Sequence, residues 1–549
     1  MQELSTHVDE VQESETNYST VIGPPQAVAA ALRTTLGPNG MDKMIVEQNG
    51  TVVVTNTGSS ILNRVDVEDP TARMVMEAAE TQAQTVSDGT TTTVLLVGEL
   101  LEAAESLLED GLHPTSIVDG YAKATAYATE RLQEYATPVS ELDRDQLHSI
   151  AATTVTGRWD DTATSLFAEL AVSGLQSVDF NSSRLTLHAR PGGSLDDSVV
   201  VDGIAVDMDA SSTSIDVLEA PELQDFSNPR IALVDAEISP VDTDASATVE
   251  ISDIDDLDKV REHERDSRSA VVQSVRELDI DVLFCQKSID DTVRTALSQS
   301  GVLPVERTRQ DEFDAISQAT GAQTALAVDG LDCRSLGNAG HIHRESIGGT
   351  ESLLITDCQE ESHASIVLRG GTPHVSEEVN RVVADCVDAV RLALRAGSVL
   401  PGGGATAMAL SRDLSEYADG IGGREQFAVQ AFANALECIP RTLAENAGLD
   451  PVDTLVALRN QHYDGATSVG VDESGDLCDM HEGGVIGPTT VLDACLKNAL
   501  ETGALLLRID DTLEAESGQR TEHAEHNHGH DGQLHTENDT DGYPWALSH

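Results

Sequence analysis

The chain has 549 residues, 40% hydrophobic and 3% aromatic, and 33 Lys and Arg set against 95 Asp and Glu leave it a net charge of −62. That length exceeds what one hydrophobic core organises and, at roughly 150 residues per domain, points to about three compact units. The acidity excludes nucleic acid as a partner, because a phosphate backbone is bound by Lys and Arg, and no apolar run reaches the roughly 18 residues of a membrane span.

The N-terminal MQELSTHVDEVQESE is acidic and polar, without the basic start and apolar stretch of a secretory signal, so the chain is expected to stay in the cytoplasm. Self-repulsion on this scale destabilises a compact chain at low ionic strength, whereas at molar salt the screening length shrinks to about 3 Å. A salt-loaded cytoplasm is the leading reading, and a generic acidic protein is its rival. From Pro25 to Ala136 the pattern is mainly helical. PPQAVAAALRTTL reads as a helix ending at the turn LGPNG, TVVVT reads as a strand leading to the turn NTGSS, and two amphipathic helices follow, separated by SDGT. The second, TVLLVGELLEAAESLLEDG, stops at Gly111.

Between about 180 and 365, short β-branched runs such as RLTLHA, SVVVDGIAV, RIALVDAEI, DVLFC and SLLITD alternate with helical stretches, which predicts an α/β unit. Within it, SDIDDLDKVREHERDSRSAVVQSVREL is a helix with an almost wholly polar first half. After Ser365 long helices return, and AGLDPVDTL marks a helix boundary, with Gly448 as stop, Asp450 as N-cap and Pro451 at N1. Two helical ends around an α/β middle predict a helical domain built from both ends with the middle inserted. The seven cysteines (285, 333, 358, 386, 438, 478 and 495) are widely spaced with no CxxC pair, so reduced thiols are expected rather than disulfides or zinc. The tail, TEHAEHNHGHDGQLHTENDTDGYPWALSH, lacks periodicity and is expected to be disordered; its histidines present no fixed metal geometry.

Four glycine-bearing turns stand out: LGPNG (36–40), NTGSS (56–60), SDGTTTT (87–93) and LPGGGAT (400–406). In the last three, glycine lets backbone approach closely and small residues then open a helix or strand, a place where free N–H groups and the helix dipole favour phosphate. In SDGTTTT, Asp88 is suited to hold Mg²⁺ directly or through water, while Thr90, Thr91 and Thr92 are suited to donate to phosphate oxygens. An ordinary N-cap is the competing reading for each turn alone. No Walker A motif occurs. Asp385, beside the apolar stripe of Val379, Val382, Val383, Cys386 and Val390, is a candidate for orienting water, and Asp388, one turn away, is equally placed.

Ten motifs occur in the order and approximate spacing seen in group II chaperonins, the family of archaeal thermosome subunits, and the chain resembles that family over roughly residues 27–515. They are TTLGPNGMDKMIV, VVVTNTGSSIL, VEDPTARMVMEAAETQ, DGTTTTVLLVGELL, DGLHPTSIVDGY, VLFCQKSIDD, VLRGGTPH, AGSVLPGGGAT, IPRTLAENAGLD and LLLRIDD. With the acidity, the resemblance is to subunits from salt-loving archaea. It implies an ATP-driven folding machine of two stacked rings, with non-native proteins as clients, sister subunits as partners, and ATP and Mg²⁺ (K⁺ as an optional further ion) as cofactors. The implied fold is multidomain α+β: a helical equatorial domain (1–144 with 400–520), a small intermediate domain (145–202 with 365–399) and an inserted α/β apical domain (203–364) with a lid protrusion at about 245–276. The acidic His-rich tail (521–549) follows.

The resemblance also implies site residues. Leu36, Gly37 and Pro38 match the first nucleotide-contacting turn, and Asn56 and Gly58 the second. Asp88, Gly89, Thr90, Thr91 and Thr92 match the phosphate and Mg²⁺ loop, with Asp88 as metal ligand and catalytic group. Gly402, Gly403 and Gly404 match the glycine turn beside the nucleotide, Asp472 a position near the base, Arg158 a lysine near the terminal phosphate, and Asp385 the acid that activates water. The chain departs from the family at Thr57, where an Asp usually assists hydrolysis, at Ser87, usually Gly, and at Asn39, usually Lys. Two readings follow: an ATP-hydrolysing chaperone subunit, supported by Asp88 and Asp385, or a nucleotide-binding structural subunit of a mixed ring that turns over weakly or not at all, supported by Thr57 and Ser87.

Overall fold

The computed structural model describes residues 18–47, 50, 52–140, 143–207, 225–239, 254–347, 350–358 and 362–509. The start of the expected lid (245–253) and the His-rich tail lie outside the described residues. In chain order the helices are α1 (Tyr18–Arg33), α2 (Gly58–Leu62), α3 (Pro70–Val86), α4 (Thr90–Glu109), α5 (Pro114–Tyr135), α6 (Arg144–Val155), α7 (Asp161–Ser177), α8 (Ile254–Glu277), α9 (Asp291–Gln299), α10 (Gln310–Thr320), α11 (Pro373–Ala396), α12 (Ala405–Asp419), α13 (Glu425–Leu436), α14 (Cys438–Asn446), α15 (Pro451–Tyr463) and α16 (Thr489–Leu506). An antiparallel hairpin, β1 (Lys43–Val46) and β2 (Val52–Thr55), stands between α1 and α2.

Local sequence sets several of these boundaries. Asp69 caps α3 by accepting from Thr71 N (2.8 Å) and Ala72 N (3.1 Å), with Pro70 at the first helical position. Asp450 and Pro451 repeat the device at α15, after Gly448 turns left-handed at φ 77. Two expectations need correction. Helix α1 begins at Tyr18, so Pro24 and Pro25 lie inside it rather than at its start. Val21 and Ile22 are 6% and 0% exposed, and their burial draws the helix back past residues that lack the N–H for its ladder. Likewise, NTGSS is not only a turn: Gly58 opens α2, whose Ile61 and Leu62 are buried.

The hydrophobic cores join segments far apart in sequence. The first takes residues from α1 to α5 and again from 400 to 507, so both ends build one helical body. Its centre is α4, where Val94, Leu95, Val97 and Leu101 have no exposed surface and each contributes roughly 1.5–3 kcal/mol. The second core joins α6 and α7 to α11. Over it lies a sheet in which 185–191 pairs parallel and 199–202 antiparallel with the central strand 364–370. The inserted middle has a mixed sheet, four parallel strands ordered 303–305, 282–285, 230–234, 324–325 with 337–338 antiparallel on 230–234, with cores on both faces, and an antiparallel sheet of 204–207, 350–356, 341–347 and 225–227. This matches the α/β texture of the sequence. Helix α8 finds its apolar partner here through Val271, Val272 and the fully buried Val275. All seven cysteines are free thiols.

Two tight joints link the bodies. Gly157, after α6, has φ 80, and a Cβ there would lie 1.9 Å from the carbonyl oxygen of Pro38. Between the second core and the inserted middle, His188 Nδ1 lies 3.5 Å from Glu312 Oε1, with side chains 0% and 1% exposed. Burial pushes the imidazole down to about 3, with help from the charges of Arg190 and Arg309, so His188 is neutral at pH 7 and the contact is no ordinary ion pair. Burial pushes Glu312 up to about 7.

Gly157→Ala is expected to lower unfolding free energy by about 2 kcal/mol or more, combining a forbidden φ with a backbone clash. Gly371→Ala, with open space around its Cβ position, is expected to stay within roughly 0.5 kcal/mol. Denaturant melts of both variants check the joint; equal stabilities would refute it.

Candidate functional site

The first and second cores face one another across a cleft of about 840 Å³. Of the residues expected at the site, Leu36, Gly37, Pro38, Asn56, Gly58, Asp88, Gly89, Thr90, Thr91, Thr92, Arg158, Asp385, Gly402, Gly403 and Asp472 all line it. Gly404 does not. It stands one step back at φ 77, where a Cβ would lie 2.8 Å from Pro440 Cβ, so its role is to let α12 pack on α14.

The floor of the cleft is the N-terminus of α4. Gly89 enters it left-handed at φ 78, no side chain caps it, and the first intrahelical bond runs from Thr93 N to Gly89 O (2.9 Å). The amides of Thr90, Thr91 and Thr92 are therefore left for another acceptor, which disposes of the ordinary N-cap reading. Asp88 turns its Oδ1 onto Gly89 N (2.6 Å). The carboxylate keeps surface open to the cleft, but the protein atoms crowded around it raise its pKa, against the lowering effect of the Gly89 bond and of Arg158. The turn is held from beneath by Gln82, whose amide is fully buried and donates to Asp88 O (2.9 Å) while accepting from Asn498 Nδ2 (2.7 Å). Gly58 brings α2 against this terminus, since a Cβ there would meet Thr91 Oγ1 at 2.6 Å.

Helix α14 braces the first turn. Asn446 Nδ2 donates to Leu36 O (2.8 Å) and Arg33 O (3.1 Å), and Leu443 fills the space above Gly37. Asp472 spends its carboxylate on its own turn, accepting from Ser474 N (2.9 Å) and Asp476 N (2.8 Å). Asn39 ties that turn to the first by donating to Glu473 O (2.8 Å).

Across the cleft, α11 places differently the two acids that its helical pattern alone left equivalent. Asp385 lines the cleft with Arg158 Nη1 at 3.5 Å. Burial pushes its carboxyl up to about 6; Arg158 opposes the rise and the Asp88 charge adds to it. Asp388 instead pairs with Arg391 (2.9 Å) and accepts from Ser87 Oγ (3.2 Å). Sequence reasoning missed Arg64 and Arg381, which also line the cleft, and the buried Gln82 and Asn446 behind it. Arg381 carried a signal, because it precedes Asp385 by one helical turn; Gln82 and Asn446 carried none beyond their place inside two of the motifs.

A helix N-terminus with free amides, small hydroxyls, one crowded carboxylate and three arginines, set between two bodies, suits a polyphosphate. Among the described residues no three His, Cys, Asp or Glu converge on a metal. A lone Asp88 fits Mg²⁺, which is usually bound by one or two carboxylates together with substrate phosphates.

The mixed helix and sheet content is that of a chaperonin. The chain belongs to the TCP-1/cpn60 chaperonin family, which is matched over residues 28–517. It is 41% identical to thermosome subunit alpha of Halobacterium salinarum, over 89% of this chain and 87% of that protein. It is 40% identical to thermosome subunit 1 of Haloferax volcanii, over 89% and 87%. A thermosome subunit of Methanopyrus kandleri is also 40% identical, over 89% of this chain and 90% of its own.

Gln82→Ala strands the Asp88 carbonyl and is expected to cost about 1–3 kcal/mol of stability. Gln82→Glu loses the same donor and is expected to do no better. Thermal unfolding of both variants tests this; wild-type melting would show that the turn does not depend on Gln82.

Proposed function

We propose that this chain is an ATP-dependent chaperone subunit that binds and hydrolyses ATP with Mg²⁺ to drive the folding of non-native proteins within a double ring of sister subunits in a salt-rich cytoplasm. The observation that carries this is Asp385, raised to about 6, facing the uncapped terminus of α4 across the cleft. The first core, the second core and the two cores of the inserted middle support the division into equatorial (1–144, 400–520), intermediate (145–202, 365–399) and apical (203–364) domains. The hairpin supports assembly with sisters. Met44, Val46, Val52 and Val54 are 71%, 65%, 54% and 54% exposed, and as the cross-strand pairs Met44–Val54 and Val46–Val52 they share one apolar face. No helix among the described residues is long and apolar enough to cross a membrane.

In this reading the amides and hydroxyls of Thr90, Thr91 and Thr92 bind phosphate oxygens, and the Leu36–Pro38 and Gly402–Gly403 turns flank the rest of the nucleotide. Asp88 holds Mg²⁺, which supplies charge neutralisation at the phosphates when bound. Arg158 meets the terminal phosphate, bidentately where lysine would act as a point charge. Asp385 accepts a hydrogen bond from the attacking water and takes its proton. That base is ionised above pH about 6, so kcat/KM is expected to fall about tenfold per unit below that value and to level off above it.

A second reading rests on Thr57, which lines the cleft without a carboxylate and caps nothing: a structural ring subunit that binds nucleotide and turns over weakly or not at all. Single-turnover and steady-state hydrolysis in molar KCl with Mg²⁺ distinguish the two. Under the first reading Asp385→Ala loses at least about 100-fold and Thr57→Asp gains modestly. Binding without turnover, with activity appearing only in Thr57→Asp, would overturn it in favour of the second.

A further inference from the structure

Ser87 occupies a backbone position that suits glycine. It closes α3 in the left-handed region, at φ 55 and ψ 2, where a side chain is strained and asparagine or aspartate is better tolerated than serine. Strain retained next to a functional residue needs a compensating interaction, and the structure supplies one: Ser87 Oγ donates to Asp388 Oδ2 at 3.2 Å.

The two partners belong to different bodies. Helix α3 is anchored in the first core through Val75 and Ala79, and α11 in the second through Val379, Val382, Val383, Cys386 and Val390. Asp388 is itself fixed, accepting from Arg391 Nε (3.1 Å) and Nη2 (2.9 Å). One residue beyond Ser87 is Asp88 of the cradle, and one helical turn before Asp388 is Asp385. The hydroxyl thus connects the residue beside the cradle to the helix that carries the acid facing it.

We propose that Ser87 is a positioning residue, whose hydroxyl tethers α11 to the phosphate loop and holds Asp385 over the cleft. The proposal rests on the hydrolytic reading above, and it changes the meaning of the departure from glycine: Ser87 belongs to a working site rather than marking a decayed one. Nothing about nucleotide affinity depends on this tether, because the amides of Thr90, Thr91 and Thr92 are presented by α4 alone.

The test uses the full-length protein in molar KCl with Mg²⁺, comparing wild type, Ser87→Gly, Ser87→Asn, Asp388→Ala and the Ser87→Gly/Asp388→Ala double variant. Ser87→Gly relieves the strain and removes the hydroxyl, so its single-turnover rate is expected to fall about three- to tenfold, with the Kd for a fluorescent ATP analogue within twofold of wild type. Ser87→Asn, which tolerates the left-handed region and offers an amide donor, is expected to restore the rate, and the double variant to be no slower than the slower single. A Ser87→Gly rate equal to wild type, losses that multiply in the double variant, or a loss expressed only in affinity would overturn the proposal. Should wild type bind the analogue and not hydrolyse ATP, the hydrolytic reading fails by itself. Amide hydrogen exchange then decides the tether: faster exchange across residues 381–391 in Ser87→Gly supports it, and unchanged exchange refutes it.

Discussion

The N-terminus of α4 must be rigid and yet unsatisfied. A helix leaves its first amides without intrahelical partners, and proteins usually cover them with a side chain. Here a glycine stands at the cap and the amides of Thr90, Thr91 and Thr92 open into a cleft. The surroundings make that affordable. The first half of α4 is largely buried, Gln82 supports the turn before it, and Gly58 lets α2 approach closely enough to fix the threonine beside it. The cradle is therefore preorganised by apolar packing and a few buried amides.

The opposite wall is a different body. Asp385 and Arg158 belong to the second core, and their placement relative to Asp88 depends on contacts that cross between bodies: the Gly157–Pro38 approach and the Ser87–Asp388 bond. Other contacts cross as well: Thr153 Oγ1 donates to Gly484 O (3.2 Å) and accepts from Ile486 N (3.2 Å), and Ile486 packs into the second core. Local charge is equally selective. In a chain with net charge −62, Arg64, Arg158 and Arg381 converge on the one cleft lined by the glycine turns, where an anion would otherwise be repelled.

Much of this was legible in the sequence. Helix starts such as Asp69–Pro70 and Asp450–Pro451 carry their own chemistry; the site residues came from the resemblance of ten ordered motifs, and fifteen of the sixteen so expected line one cleft. Gly404 stands one step back from the cleft, where its missing Cβ lets Pro440 approach. Residues that act from behind left no local trace. Gln82 reads as an ordinary helical glutamine, and only the fold brings Asn498 and Asp88 to it. The start of α1 was misread because proline is a local signal, whereas the burial of Val21 and Ile22 is a tertiary one. Asp385 and Asp388 are equivalent on a helical wheel; the resemblance chose Asp385, and the fold sets Arg158 beside it and Ser87 beside Asp388.

The central claim is that the α4 terminus is a polyphosphate cradle closed by Asp385. A structure of the assembled protein with Mg²⁺ and a non-hydrolysable ATP analogue tests it most directly. The account predicts phosphate oxygens on the amides of Thr90, Thr91 and Thr92, metal on Asp88, and Asp385 facing the terminal phosphate. A nucleotide bound elsewhere, or phosphates that leave those amides to water, would contradict it.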